Sequence, residues 1–250
     1  LERKTNKFLE KHNCPYKVVK GYGMTEVSAA VCACTSNETN ELGSVGIPFP
    51  HSVIAIFDPD NGEELPLTTD PNDRQIGEIC ITGPNVMLKY HNNDEETNKI
   101  MKKHQDGKIW IHSGDLGYMN NKGELFVIGR MKDIIIRHDG FKVFPSFIED
   151  VVMQDPAVLE CKAVGVQDTN FVQGELPYVY IVLNKNVLFN TEIEDRINAL
   201  CELQLQEYSL PIGFKFIDEM PQTNIGKIDI KTLKDDANKE LSIKNLVKKD

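Results

Sequence analysis

The sequence predicts a mixed architecture: α/β at its start, α+β at its end, and a small antiparallel β-barrel-like unit between them. Three textures predict it. A charged helix-like segment leads into β-branched residues, short apolar runs alternate with turn residues, and a last stretch interleaves helical and strand periods. Phe8 and Leu9 on a charged background predict an amphipathic helix over 1–12, and Val18 and Val19 a brief strand over 16–20, the trailing edge of an α/β sheet.

From 42 to 129 the runs shorten. Strands are expected at 53–57, 76–82, 109–112, 116–119 and 124–128, punctuated by turns such as Asp58-Pro59-Asp60-Asn61-Gly62 and Asn121-Lys122-Gly123. One helix is expected within them, over 94–104, with Asp94 as N-cap, acids in the first turn and bases in the last. A second unit begins near Lys132: strand 133–137, helix 146–154, strands 159–166 and 177–183, helix 191–208, strand 215–218 and a helix near 231–240. The implied division is 1–41, 42–130 and 131–241, with a lysine-rich, frayed tail over 242–250.

Charge excludes two function classes. Lys+Arg 28 against Asp+Glu 38 leaves a net −10, with 13 basic against 18 acidic residues through Gly129 and 15 against 20 after it. Neither half offers a nucleic-acid groove or a polybasic membrane face. The longest apolar run, 178–183, is far short of the roughly 20 residues that span a bilayer, and reads as a buried strand. Six scattered cysteines, of which only Cys32 and Cys34 are close-set, fit reduced thiols in a cytoplasmic protein rather than a zinc or redox motif. A chain that opens on Leu1 is expected to be a piece of something longer.

Four segments carry chemistry. In Gly21-Tyr22-Gly23-Met24-Thr25-Glu26, two glycines let the backbone turn and approach a ligand around an aromatic face. Thr25 offers a hydroxyl to a phosphate and Glu26 a hard oxygen to Mg2+, although a strand-end turn before a helix reads equally well. Ile111-His112-Ser113-Gly114-Asp115-Leu116 presents a carboxylate able to accept both hydroxyls of a ribose; alone, Ser-Gly-Asp is a turn. The segment from Gly129 to Glu149, including Arg130, Lys132 and Gly140, lies where the textures change and is too apolar for a plain linker. Finally, Pro221-Gln222-Thr223-Asn224-Ile225-Gly226-Lys227 sets a lysine on a glycine turn, ordinarily just a solvated charge.

In this order the four segments resemble the adenylate-forming (AMP-binding) superfamily of acyl-CoA synthetases, peptide-synthetase adenylation domains and luciferases. Gly43-Ser44-Val45-Gly46-Ile47-Pro48, the 77–83 stretch followed by Tyr90, and Gly174-Glu175-Leu176-Pro177 are also similar, so the resemblance covers 17–236. It implies the end of a large N-terminal α/β domain with its barrel subdomain, followed by a compact α+β C-terminal lid domain. It implies that Tyr22 stacks on adenine with Gly23 beside it, that Thr25 contacts the α-phosphate, that Glu26 binds Mg2+, and that Asp115, helped by Arg130, holds the ribose. Lys132 matches the hinge residue, Lys227 the lysine bridging carboxylate and phosphates, and Gly140 the loop that leaves space for the pantetheine of CoA.

The form Gly140-Phe141-Lys142-Val143-Phe144-Pro145-Ser146-Phe147-Ile148-Glu149 resembles CoA ligases more than carrier-loading adenylation domains. The implied reaction is ATP-dependent activation of a carboxylic acid to its acyl-adenylate, then transfer to CoA with release of AMP. Two alternatives stand beside it: adenylation for a carrier protein, and a non-catalytic interaction module of the same fold. The family's Ser/Thr/Gly-rich loop ending in Pro-Lys is absent from the sequence, so the implied partner is a missing N-terminal portion of the same enzyme, and the fragment alone is expected to bind nucleotide poorly and not to turn over. After Lys227, Ile228-Asp229 departs from the family's basic residue two places on. Val27, Ser28, Ala29 and Ala30 leave a spacious wall that suits fatty, aryl or branched acids equally.

Overall fold

The computed structural model describes residues 2–34, 41–71 and 73–247. They fall into two units, divided between Met131 and Lys132. The first opens with helix α1 (Glu2–Lys11), after which 16–20 are exposed and carry no strand ladder. This corrects the strand expected there. Among the described residues Val18 bonds only the Asn6 side chain, by its N–H at 2.7 Å and its carbonyl at 3.0 Å, and both valines stay solvent-facing.

The ladder begins one residue later, with β1 (Gly21–Met24) running antiparallel to β2 (Ala29–Ala33), which pairs in turn with β3 (Ile47–Pro48). A 3-10 turn over Thr25–Val27 connects β1 and β2, so the segment after Glu26 is a hairpin rather than a helix N-terminus.

A five-stranded antiparallel sheet follows: β4 (Val53–Phe57), β5 (Gly77–Thr82), β6 (Met101–Lys103), β7 (Ile109–Met119) and β8 (Leu125–Arg130). The order is β4-β5-β7-β6, and β8 also pairs with β7. Because β6 and β8 divide one edge of β7 between them, no described strand returns to β4 and the barrel-like unit is an open sheet. Central position explains why β5 is buried at every residue.

Two expectations change here. Residues 109–119 form one strand instead of two, and helix α2 stops at Ile100 (Asp94–Ile100) because 101–103 pair with 109–111. Its N-cap is Asn93, whose side chain accepts the Glu96 N–H, not Asp94.

In the second unit, β9 (Ile135–Ile136) and β10 (Lys142–Val143) make a hairpin, where a strand over 133–137 was expected; Met131–Asp133 is a 3-10 turn. Helix α3 (Pro145–Val152) leads into β11 (Val158–Gln167), antiparallel to β12 (Glu175–Leu183), and β13 (Phe214–Phe216) runs parallel to β12. Helix α4 (Thr191–Gln204) is capped by the Asn190 side chain and ends before 208, the last four residues being a bend and the start of a 3-10 turn.

Period-two alternation along β12 explains its unbroken apolar run. Val179 and Ile181 join one core with Ile148, Val152 and Ile197 of the helices α3 and α4. Tyr178, Tyr180 and Val182 join the other, with Leu233 and Ala237 of α5 (Ile230–Val247). That helix runs through most of the expected frayed tail; 248–250 lie outside the described residues. No helix among the described residues is long and apolar enough to cross a membrane, and all six cysteines are free.

Tyr180 ties α5 to the sheet: its hydroxyl donates to Asp236 Oδ2 at 2.6 Å and lies 3.0 Å from the Leu233 carbonyl. The Lys215 ammonium, then the Tyr180 hydroxyl, hold the Asp236 carboxyl below its ordinary value. A depressed carboxyl contributes stability above its unfolded pKa and loses it as pH falls through the folded one. Tyr180→Phe is therefore expected to cost about 1–2 kcal/mol in denaturant titrations at neutral pH. The difference from the parent should shrink progressively as pH falls below 4 and through the depressed folded value of Asp236; a constant difference would contradict the account.

Candidate active site

The chemistry-bearing residues of the first unit meet at the β1 hairpin and the middle of β7. On β1, Tyr22 donates its hydroxyl to Asp115 Oδ2 at 2.8 Å. Arg130, the cross-strand partner of Asp115 on β8, brings its Nε within 3.2 Å of Oδ1. Asp115 is thus buried and held at both oxygens, with lone pairs left on each for further donors. Burial pushes the Tyr22 phenol well above its ordinary value, with the nearby Ser113 hydroxyl opposing the effect and the Asp115 carboxylate adding to it. The phenol stays protonated and keeps its donor role at any physiological pH.

An open depression of about 630 Å³ borders the hairpin, lined by Gly21 to Thr25 and by Ser28, Ala29 and Ala30. Gly23 is there because of space: a Cβ would lie 1.8 Å from the Ala29 carbonyl oxygen across the ladder. Thr25 and Glu26 occupy the 3-10 turn. Glu26 Oε1 accepts the Tyr90 hydroxyl at 2.5 Å, and the Met87 N–H donates to the Glu26 carbonyl at 2.8 Å. Burial, then the Glu26 carboxylate, push the Tyr90 hydroxyl up to about 12. The second carboxylate oxygen of Glu26 has no hydrogen bond among the described residues, and one hard anionic oxygen suits Mg2+, which keeps most of its water shell.

The other singled-out residues lie in the second unit. Lys132 is exposed in the 3-10 turn at its start. Gly140 takes φ +86 in the β9–β10 turn, where its N–H donates to the Arg137 carbonyl at 3.0 Å and its Cα faces open space. Lys227 is exposed on a turn closed by the Thr223 N–H on the Lys227 carbonyl at 2.7 Å and by a Gln222–Ile228 bridge. Among the described residues its ammonium has no carboxylate partner. The structure thus brings Tyr22, Asp115 and Arg130 together, sets Glu26 on the same hairpin, and leaves Lys132, Gly140 and Lys227 in the other unit.

Sequence reasoning passed over a buried polar group beside this site. His112 Nδ1 lies 2.6 Å from Glu78 Oε2, and His112 Nε2 lies 2.9 Å from His104 Nε2. Donor atoms of Glu78, Cys80 and His112 all fall within 4.8 Å of one another, a spacing that could hold a metal ion. They are already satisfied as a hydrogen-bonded set, and burial drives the Cys80 thiol well above its ordinary range, so it stays protonated.

Burial, then the charge of His112, hold His104 below its ordinary value of 6.5. The unfolded chain then takes up a proton that folded His104 refuses, so stability rises with pH through the window just under 6.5. Melting profiles between pH 5 and 7 should flatten in His104→Asn; an unchanged slope would assign the dependence elsewhere.

The family described as AMP-binding enzyme matches residues 1–91, and the AMP-binding enzyme C-terminal domain matches 148–227. A long-chain-fatty-acid–CoA ligase of Escherichia coli O157:H7 is 36% identical over 220 residues, covering 88% of this chain and 36% of the relative. Among solved structures, ATP-bound MatB from Rhodopseudomonas palustris superposes with a TM-score of 0.76 at 28% identity, over 89% of this chain and 41% of that one. The O-succinylbenzoate coenzyme A synthetase MenE from Bacillus subtilis, in complex with ATP and magnesium, gives 0.72 at 28% identity, over 94% and 44%. The chain spans little more than a third of the length of the curated relatives it matches.

Proposed function

Since the chain belongs to the AMP-binding enzyme family, we propose that it is the C-terminal portion of an AMP-forming acid–CoA ligase. The observation that carries the reading is the Tyr22–Asp115–Arg130 set, an aromatic face fixed to a buried carboxylate that keeps acceptor capacity. Adenine stacks on Tyr22 beside Gly23, and the ribose hydroxyls donate to Asp115, which Arg130 and Tyr22 hold in place. Thr25 donates to the α-phosphate. Mg2+, when bound through Glu26, supplies neutralisation of phosphate charge.

In the first half-reaction the substrate carboxylate attacks the α-phosphorus and pyrophosphate leaves. The Lys227 ammonium stabilises the charge that builds there, and no proton moves. Rotation about Lys132 then exchanges Lys227 for the Gly140 loop, where the missing side chain leaves space for the pantetheine arm of CoA. In this reading residues 1–41 close the N-terminal α/β domain, 42–130 form its barrel-like subdomain, 131–241 the mobile C-terminal domain and 242–250 its tail. A preceding N-terminal portion supplies the phosphate-binding loop and most of the acid pocket. The cytoplasm is the proposed compartment, supported by six free cysteines. Long-chain fatty acids, named in the relatives, are the first acids to test.

The test is stoichiometric and uses the protein that carries this chain. Acid-dependent exchange of pyrophosphate into ATP, together with AMP release that requires CoA, is the expected result. Exchange without CoA-dependent release would favour loading of a carrier protein, and neither activity would favour an interaction module.

A further inference from the structure

The ladder between β5 and β7 breaks where Asp115 is presented. Cys80 pairs with His112 and Glu78 with Leu116, so Ser113, Gly114 and Asp115 stand opposite Ile79 alone. Two extra residues on one strand throw its backbone out of the ladder and strand the N–H groups of the bulge. Gly114 makes the excursion at φ +70, a left-handed conformation in which a side chain is strained. The loose ends are tied by side chains. Ser113 Oγ donates to the Ile79 carbonyl at 2.7 Å and accepts the Asp115 N–H at 3.0 Å, while the Gly114 N–H donates to Glu78 Oε1 at 3.0 Å.

A buried carboxylate serves here only if it is itself fully satisfied. Its other oxygen takes the His112 Nδ1–H at 2.6 Å, and side-chain exposures of 12% for His112 and 10% for Glu78 keep water from competing. With Nδ1–H committed to Glu78, His112 Nε2 meets His104 Nε2 at 2.9 Å, one ring nitrogen donating and the other accepting. Lys102, Asp106 and the Cys80 thiol are the other ionisable groups facing this set. The line His104–His112–Glu78–Gly114 thus ends one residue before Asp115, in a bulge that has no partner on the β5 side, where Asp115 is paired only across its other edge, with Arg130 of β8.

We propose that Glu78, oriented by His112, is a positioning residue that sets the Gly114 bulge and thereby aims the Asp115 carboxylate at the ribose. The inference rests on the reading of Asp115 as the ribose-binding carboxylate. Neither Glu78 nor His112 touches the nucleotide; they act through the backbone of Gly114. Their signature is therefore loss of ribose discrimination, not loss of adenine binding.

The experiment titrates the isotope-labelled 250-residue chain with AMP and with 2′,3′-dideoxy-AMP, following amide resonances of the β1 hairpin and the Gly114 bulge by NMR, which reads millimolar affinities. The parent should prefer AMP about tenfold, the worth of hydrogen bonds to a charged acceptor. Glu78→Ala should bring that ratio close to one while affinity for the dideoxy compound holds, and the Gly114 amide should move upfield and exchange faster. Glu78→Gln keeps an acceptor for Gly114 and should retain most of the ratio. His112→Asn keeps a donor near the Nδ1 position and should retain it too, whereas His112→Leu should lose it.

Undiminished discrimination in folded Glu78→Ala or His112→Leu overturns the proposal. Should Glu78→Ala not fold, His112→Leu against His112→Asn carries the comparison. Failure of the parent itself to distinguish the two nucleotides overturns the ribose reading of Asp115, and this inference with it, and is separable because it precedes any substitution.

Discussion

Replacing Lys227 by alanine in the protein that carries this chain is expected to lower acyl-adenylate formation about 10²–10³-fold, the usual cost of removing a preorganised charge from a transition state. Acyl transfer to CoA from supplied acyl-adenylate should stay largely intact. The asymmetry follows from the chemistry: negative charge builds on the α-phosphoryl group only in the first half-reaction. Structure makes the substitution clean. The turn is held by backbone bonds between Thr223 and Lys227 and by the left-handed Gly226, and the side chain itself is exposed and unpaired among the described residues. Melting curves should therefore match the parent. Equal loss of both half-reactions would remove Lys227 from the adenylation step, and a lowered melting temperature would mean that the turn was misread.

Gly23→Ala should be among the most damaging single methyl additions in the first unit. An added Cβ lies 1.8 Å from Ala29 O and 2.6 Å from Ala30 Cα, both backbone atoms of the paired strand, so relief requires the hairpin to part. Overpacking of this kind costs about 3 kcal/mol or more when no side chain can yield. Tyr22, one residue away, would be carried off Asp115, and nucleotide binding should fall together with stability. Gly114→Ala supplies the contrast. Its Cβ meets nothing within 4 Å and the position is strained only through φ +70, an effect of about 1–2 kcal/mol. Comparable denaturation midpoints for the two variants would contradict the distinction between crowding and backbone strain.

The strands at Val53–Phe57 and Glu175–Leu183 could be read directly from apolar runs bounded by turn residues, because their burial depends on period and length within a few residues. Helix α4 was legible for the same reason, and so were the Gly-Tyr-Gly, Ser-Gly-Asp and Gly-Lys segments. Residues 16–20 misled because β-branched side chains favour a strand only where a neighbour completes the ladder, and Val18 and Val19 have none. Residues 101–103 continue a helical pattern yet are captured by 109–111, a pairing that outweighs local propensity.

The arrangement around Asp115 lies beyond local pattern altogether. Tyr22 and Asp115 are 93 residues apart, Glu26 and Tyr90 64, and Glu78 and His112 34. Chain-local periodicity and turn chemistry were enough to name the segments, since those forces act between near neighbours. Which oxygen meets which donor, and that β7 runs on through a bulge instead of ending in a turn, follows from strand register, which only the folded sheet defines.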